Sequence, residues 1–234
     1  MKRFSKIIFS AFIVLSIAAV ILWQYFVGTD SYYLCAVIVI VLSLLPFFIS
    51  FEKSFPSARE MALIAVLIAL AVASRAVFYL IPQFKPIGAV VIACAVCLGA
   101  ERGYIIGALS AFISNFIFGQ GAWTPFQMAA LGLCGFLAGL IFKWINVNKW
   151  TLSVVGFALT FAVYGIIADA STVLMTVTEP SLASVGAVYA AGIPFSAVFG
   201  AATAVFLFLF GEAFIKKINR IIVKYGIGED NYEE

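Results

Sequence analysis

An all-α integral membrane protein of eight transmembrane helices is the fold class this sequence predicts, and three observations predict it. The 234-residue chain is 65% hydrophobic and 11% charged, whereas soluble domains run near roughly 45–50% and 25%. Its apolar residues gather in eight runs, to be compared with the ~17–25 helical residues that cross a hydrocarbon core. Its bases divide by side. Of the 14 Lys and Arg residues, Lys2, Arg3, Lys6, Lys53, Arg59, Arg102, Lys143, Lys149, Lys216, Lys217, Arg220 and Lys224 all fall on one side once the runs are drawn. That side is cytoplasmic by the positive-inside rule, and eight spans place both termini there.

The runs cover residues 5–27, 33–50, 60–81, 87–100, 103–118, 126–142, 151–177 and 188–214. The first follows a basic start and resembles a signal peptide. It exceeds the ~7–15 residues of a signal core and lacks a small-x-small cleavage site, so a retained helix is expected. The fourth and fifth are short. At ~1.5 Å per residue the fourth covers about two thirds of a ~30 Å core, and short helices are tolerated where the adjoining backbone is buried in protein or lines a cavity, which hints at a cavity near their ends. The opposite loops, 28–31, 82–86, 119–125 and 178–187, hold Lys85 as their one base, with Asp30 and Glu179 as acids. The linker Phe-Glu-Lys-Ser-Phe-Pro-Ser at 51–57 divides the chain. Residues 1–56 read as an accessory hairpin, 57–216 as a six-helix working unit, and 217–234 as a cytoplasmic tail.

Several functions are excluded. A net charge of +3 spread over helix anchors does not imply nucleic acid. The chain has no His, which removes the commonest transition-metal ligand and general base. Cys94 and Cys97 form a CxxC inside a continuous apolar helix with no second ligand pair, so a small-hydrophobe role outweighs metal or redox chemistry. There is no P-loop, nucleophile elbow, HExxH or acidic metal cluster. No cofactor and no metal are expected.

Four features carry functional information. Ala58, Ala62, Ala65, Ala69 and Ala73 fall on one face of the third helix. Such a stripe lets another helix approach closely, either within the bundle or from a separate membrane subunit. Arg75 and Asp169 are ionisable at membrane depth, where charge is costly unless it meets a partner or a ligand; they pair with each other or line a pocket. The segment 114–128 breaks its helix at Gly119 and Gly121 and restarts at Pro125, with Thr124 as a cap. Its Asn115, Gln120, Thr124 and Gln127 offer neutral donors and acceptors, while Phe118 and Trp123 offer flat surfaces. Such a set suits a neutral organic ligand; the plainer reading is an interfacial turn with a belt tryptophan. Finally, the stiff loop Ile81-Pro82-Gln83-Phe84-Lys85-Pro86 is either a lid or a tight connection, with Tyr164, Thr172 and Glu179 able to complete a rim.

From about residue 57 to 214 the sequence resembles the substrate-binding S components of energy-coupling factor (ECF) vitamin transporters. The resemblance is carried by six helices, by the opening Ser57-Ala58-Arg59-Glu60-Met61-Ala62-Leu63-Ile64-Ala65 with its AxxxA spacing, by the proline-containing loop, and most specifically by the 115–127 run. It is nearest to the branch that includes cobalamin-type S components. The resemblance implies a prokaryotic plasma-membrane protein that binds a vitamin at the outer face. It further implies partners: a T subunit, docked through the alanine face, and two cytoplasmic ATPases. The chain itself is then not an enzyme. Trp123 and Phe118 are expected to pack on the ligand, with Asn115, Gln120, Gln127 and Arg75 hydrogen bonding. The two extra N-terminal helices depart from the family pattern. Two alternatives remain on the residues alone: a membrane-embedded enzyme on a lipid or prenyl substrate using Arg75 and Asp169, and a non-transporting scaffold.

Overall fold

The computed structural model describes residues 57–179 and 181–227. The first two expected helices and the end of the tail lie outside the described residues. Six helices and no strands make up what is described: α1 (Ala58–Val77), α2 (Ile87–Leu98), α3 (Ala100–Phe118), α4 (Thr124–Ile141), α5 (Lys149–Thr176) and α6 (Leu182–Lys224). By length and composition α1, α4, α5 and α6 are able to cross a membrane.

Local chemistry sets the boundaries. The Ser57 hydroxyl accepts from Glu60 N at 3.3 Å and starts α1. Capping boxes start α5 (Asn148 with Thr151) and α6 (Ser181 with Ser184), satisfying donors that a helix N-terminus leaves free. Gly99, at φ 88°, lets the chain leave α2 and enter α3 without a spacer. Helix α6 begins at Leu182 rather than 188, because its capping box lies further upstream. It runs on through residue 216 to Lys224, extending as helix into the tail.

The short helix α2 is the hub. It contacts all five other helices, and Val91, Ile92, Cys94 and Ala95 are fully buried. At 12 residues it reaches only ~18 Å. Protein surrounds it instead of lipid, which is how a backbone too short to span is tolerated. Beside it, α3 and α4 approach at Gly103 and Gly135; a Cβ on Gly103 would lie 2.8 Å from the Gly135 carbonyl oxygen. In lipid, where apolar burial between helices gains little, such backbone proximity is a main source of association. The outward surface is apolar: Val66 on α1 is 64% exposed and Leu209 on α6 61%.

At the end where α1 begins, one buried acid is paired and two further charged residues take backbone partners. Arg102 Nε donates to Glu60 Oε1 at 2.6 Å, and Arg59 Nη1 donates to the Tyr225 carbonyl at 3.1 Å. The Lys149 backbone N–H donates to Glu212 Oε1 at 2.7 Å. Within the core, Cys94 is buried and the Cys97 thiol faces the Ile215 carbonyl at 3.8 Å.

The alanine stripe faces away from this core. Leu63, Leu67 and Ala71 turn α1 inward, while Ala58, Ala62, Ala65, Ala69 and Ala73 are all exposed with respect to the described residues.

Candidate functional site

At the end of the bundle where α1 and α3 finish, a cavity of about 370 Å³ opens among α1, α3, α4, α5, α6 and the loop that follows α1. Two kinds of segment build this end: helix termini broken by glycine and proline, and a wide turn in α5.

The α3–α4 turn comes first. Gly119, at φ 105°, ends α3, and Pro125 sits in the first turn of α4, where its missing N–H costs nothing. Trp123, not Thr124, occupies the N-cap position, and its indole provides no cap. Thr124 is instead the knot of the turn. Its Oγ1 accepts from Gly121 N at 3.2 Å and from Asn115 Nδ2 at 3.1 Å, and donates to Gln120 Oε1 at 2.9 Å. Gln120 Nε2 then donates to the Phe112 carbonyl at 3.0 Å.

Asn115 is the centre of the wall. It is 1% exposed. Its Nδ2 donates to Thr124 and, at 2.9 Å, to Gln127 Oε1, while its Oδ1 accepts from Arg75 Nη1 at 2.9 Å. Both amide donors and the carbonyl are thereby engaged. The same Arg75 nitrogen also donates to the Ser114 hydroxyl. The guanidinium is therefore fixed in direction by two buried groups of α3, an arrangement that pre-organises its remaining donors.

The Phe118 ring lies beneath two cations. The Arg75 guanidinium carbon is 4.3 Å and the Lys85 Nζ 4.8 Å from its centroid, and the Tyr79 ring packs against it at 5.2 Å. A π-face stabilises cations by roughly 0.5–2 kcal/mol, so one ring offsets part of the cost of holding two of them together. Burial first, and Arg75 second, pull the Lys85 ammonium below its ordinary pKa. Lys85 is delivered by a strained loop. Gln83 adopts φ 56°, a left-handed conformation that non-glycine residues seldom hold, flanked by tight Phe84 N to Pro82 O and Lys85 N to Gln83 O contacts of 2.7 and 2.9 Å.

Across the cavity, α5 contains a π-helical segment, Leu159–Tyr164. Such a turn holds one residue more than an α turn and re-aims everything after it. Cys134 Sγ donates to the Leu159 carbonyl at 3.3 Å and Thr160 Oγ1 to the Gly156 carbonyl at 2.7 Å. Tyr164, Ala168, Asp169 and Thr172 follow along the cavity side. The Asp169 carboxylate lies directly over Gly192 of α6, where any Cβ would take its place. It makes no hydrogen bond or ion pair with a described residue. Arg75 and Asp169 thus do not pair, and both line the cavity.

The expected site residues sort into three layers. Arg75, Gln83, Lys85, Gln127, Tyr164 and Asp169 line the cavity. Asn115, Phe118 and Thr124 stand behind that lining and hold it. Gln120 and Trp123 lie outside: Gln120 locks the turn, and Trp123, 38% exposed, folds over Gly121. Neither the packing of Phe118 and Trp123 on a ligand nor direct hydrogen bonding by Asn115 and Gln120 matches these positions, because their surfaces are already engaged within the protein or face outward.

Sequence reasoning missed Phe195, Ser196 and Phe199 of α6, which complete the wall; the Phe199 ring meets that of Tyr164 at 4.7 Å. Pro194, inside an apolar helix, was the available signal, since proline removes a backbone donor and bends the helix locally.

No curated protein and no solved structure matches this chain. A family model does match, over residues 55–221, which covers nearly all of the six-helix unit. The chain belongs to DUF6580, a family of unknown function.

Proposed function

We propose that this chain is the substrate-binding S component of an ECF-type importer in a prokaryotic plasma membrane. It would have eight transmembrane helices and both termini in the cytoplasm. The cavity end faces out, because the basic ends of α3, α5 and α6 lie opposite it and positive charge marks the inner side. A micronutrient binds in the cavity. The loaded protein then engages a T subunit, whose associated ATPases supply the energy; the chain performs no chemical step of its own.

The observation that carries this reading is the cavity. A bundle whose surface is apolar brings Arg75, Lys85 and Asp169 to the lining of one cavity, and ionisable groups gathered in this way mark substrate sites. The exposed alanine stripe supports it as a second, separate surface on the other side of α1. The cavity volume sharpens the substrate. At about 370 Å³ it sits near the lower end of ligand pockets, roughly 300–1,000 Å³. It therefore favours a molecule of one or two rings over a corrinoid.

The test separates the two surfaces. Ala65→Leu with Ala69→Leu places two branched side chains on the stripe without touching the cavity. The pair is expected to abolish co-purification with a co-expressed T subunit while ligand-dependent thermal stabilisation persists. Unchanged capture of the T subunit would sink the transporter reading and leave a binding protein of another kind.

A further inference from the structure

The kind of molecule the cavity takes follows from how its polar groups are spent. The neutral amides are largely consumed inside the protein. Asn115 uses its whole amide on Arg75, Thr124 and Gln127, and Gln120 is tied to Phe112 and Thr124. Gln127 gives its carbonyl to Asn115, which leaves its NH₂ for the cavity. Gln83, Tyr164, Thr172 and Ser196 add neutral polar groups to the lining, and its charged groups are Arg75, Lys85 and Asp169.

Arg75 commits one nitrogen, Nη1, to Ser114 and Asn115. Its Nε and Nη2 donors have no partner among the described residues. A guanidinium held by one edge with its other donors free presents the fork that a carboxylate fits. Lys85 shares the Phe118 ring with it and forms no ion pair among the described residues. Two cations so placed repel one another, and the carboxylate that lines the same cavity, Asp169, pairs with neither. The three side chains sum to one positive charge.

We infer that the cavity takes a small, water-soluble organic anion: a carboxylate held between Arg75 and Lys85, joined through a ring lying on Tyr164 and Phe199 to hydrogen-bond donors that face Asp169. Such a molecule quenches the repulsion between the cations, satisfies the lone carboxylate and balances the residual charge. A neutral ligand does only the second of these. The inference rests on reading the cavity as a ligand site but not on transport.

The experiment uses full-length protein in dodecyl maltoside and the small-molecule filtrate of a yeast extract, split on an anion exchanger into retained and unretained pools. Thermal unfolding is followed with each pool. The retained pool is expected to raise the midpoint by about 5 °C or more, as a ligand well above its Kd does. The shift should shrink at least twofold in Lys85→Gln and in Asp169→Asn, and vanish in Arg75→Gln. Lys85 lies on a loop outside the core, so its variant keeps the test readable if Arg75→Gln fails to fold. Stabilisation by the unretained pool, undiminished in Lys85→Gln, would overturn the anionic assignment while keeping the cavity a ligand site. A shift produced only by dioleoylphosphatidylglycerol micelles would overturn it in favour of a lipid headgroup. No shift from any pool would overturn both the assignment and the ligand-site reading beneath it.

Discussion

The two ends of this bundle treat charge in opposite ways. Where α1 begins, Glu60 and Arg102 meet at 2.6 Å and Arg59 is bound to the Tyr225 carbonyl. Where α1 ends, Arg75, Lys85 and Asp169 share a cavity and none pairs with another. The sequence had the means to close both ends, since each has acids and bases. A fold that pairs its buried acid at one end and leaves Arg75, Lys85 and Asp169 unpaired around a cavity at the other spends stability at the second. Such cost concentrates at functional sites. The way the cations are held sharpens the point: Asn115, Ser114 and Phe118 hold Arg75 in a fixed direction without cancelling its charge.

The largest break in this contrast should come from Asn115→Ala. The change removes one of Arg75's two acceptors, leaving Ser114, and strands Gln127 Oε1 and one bond of Thr124 inside the wall. Each buried polar group left unpaired costs about 1–3 kcal/mol, so a loss of about 2–4 kcal/mol in unfolding free energy is expected. Stabilisation by the retained extract pool should disappear with it, as read by denaturant and thermal unfolding of the same preparation. A variant that lost stability but kept the full ligand shift would show that Arg75 does not depend on Asn115 for its direction.

At the opposite end Glu60→Gln should cost less and cost differently. Glu60 is buried but Arg102 is 30% exposed, so water takes over part of the lost pairing. A loss of about 1–2 kcal/mol is expected, with no change in the ligand-induced shift. If binding fell as well, the two ends would be coupled, and the division drawn between them would fail.

How much of this was legible in the sequence depends on the kind of information each feature needs. The described helices followed from apolar runs, and the short run at 87–100 left open buried backbone or a nearby cavity; in the structure α2 is buried and Ile87 at its start lines the cavity. Arg75 and Asp169 were legible as membrane-depth charges, but spacing along the chain gives no distance between helices. Their separation appears only once the π-helical segment of α5 and the Gly192 gap of α6 are in place. The 115–127 run was legible as polar and turn-forming. Its roles were not, because sequence order does not fix which way an amide points. Asn115 and Gln120 turn towards the protein, whereas Gln127 keeps one edge for the cavity. Phe195, Ser196 and Phe199 were hidden because the Leu182–Phe206 stretch of α6 is apolar all round, so no face stands out in its pattern.

The contrast also predicts a pH dependence confined to one end. Burial and the neighbouring Arg75 lower the Lys85 pKa, so its charged form is disfavoured in the empty site. A bound anion favours that form and raises the pKa again. Affinity for the anionic pool is therefore full while Lys85 is protonated. It falls as pH rises through the lowered value, by at most about tenfold per pH unit for one proton. Lys85→Gln should flatten this profile; an unchanged slope in that variant would assign the titration to another group.

The smallest effect belongs to the residue that looks most like a ligand contact in the sequence. Trp123 has the flat surface a vitamin ring would stack on, yet its indole lies over Gly121 outside the cavity. Its place at a helix start, 38% exposed, is that of an aromatic at a membrane–water interface. Trp123→Phe keeps an aromatic ring at the turn but withdraws the Cζ2, Cη2 and Cζ3 edge that meets Gly121, together with the indole N–H. It should change the ligand-induced shift by less than the spread between repeats, and alter stability by no more than about 0.5 kcal/mol. A twofold or greater loss of the shift would mean that the α3–α4 turn rearranges to bring the indole onto the ligand. In that case the boundary of the site would have to be redrawn to include the outer face of the turn.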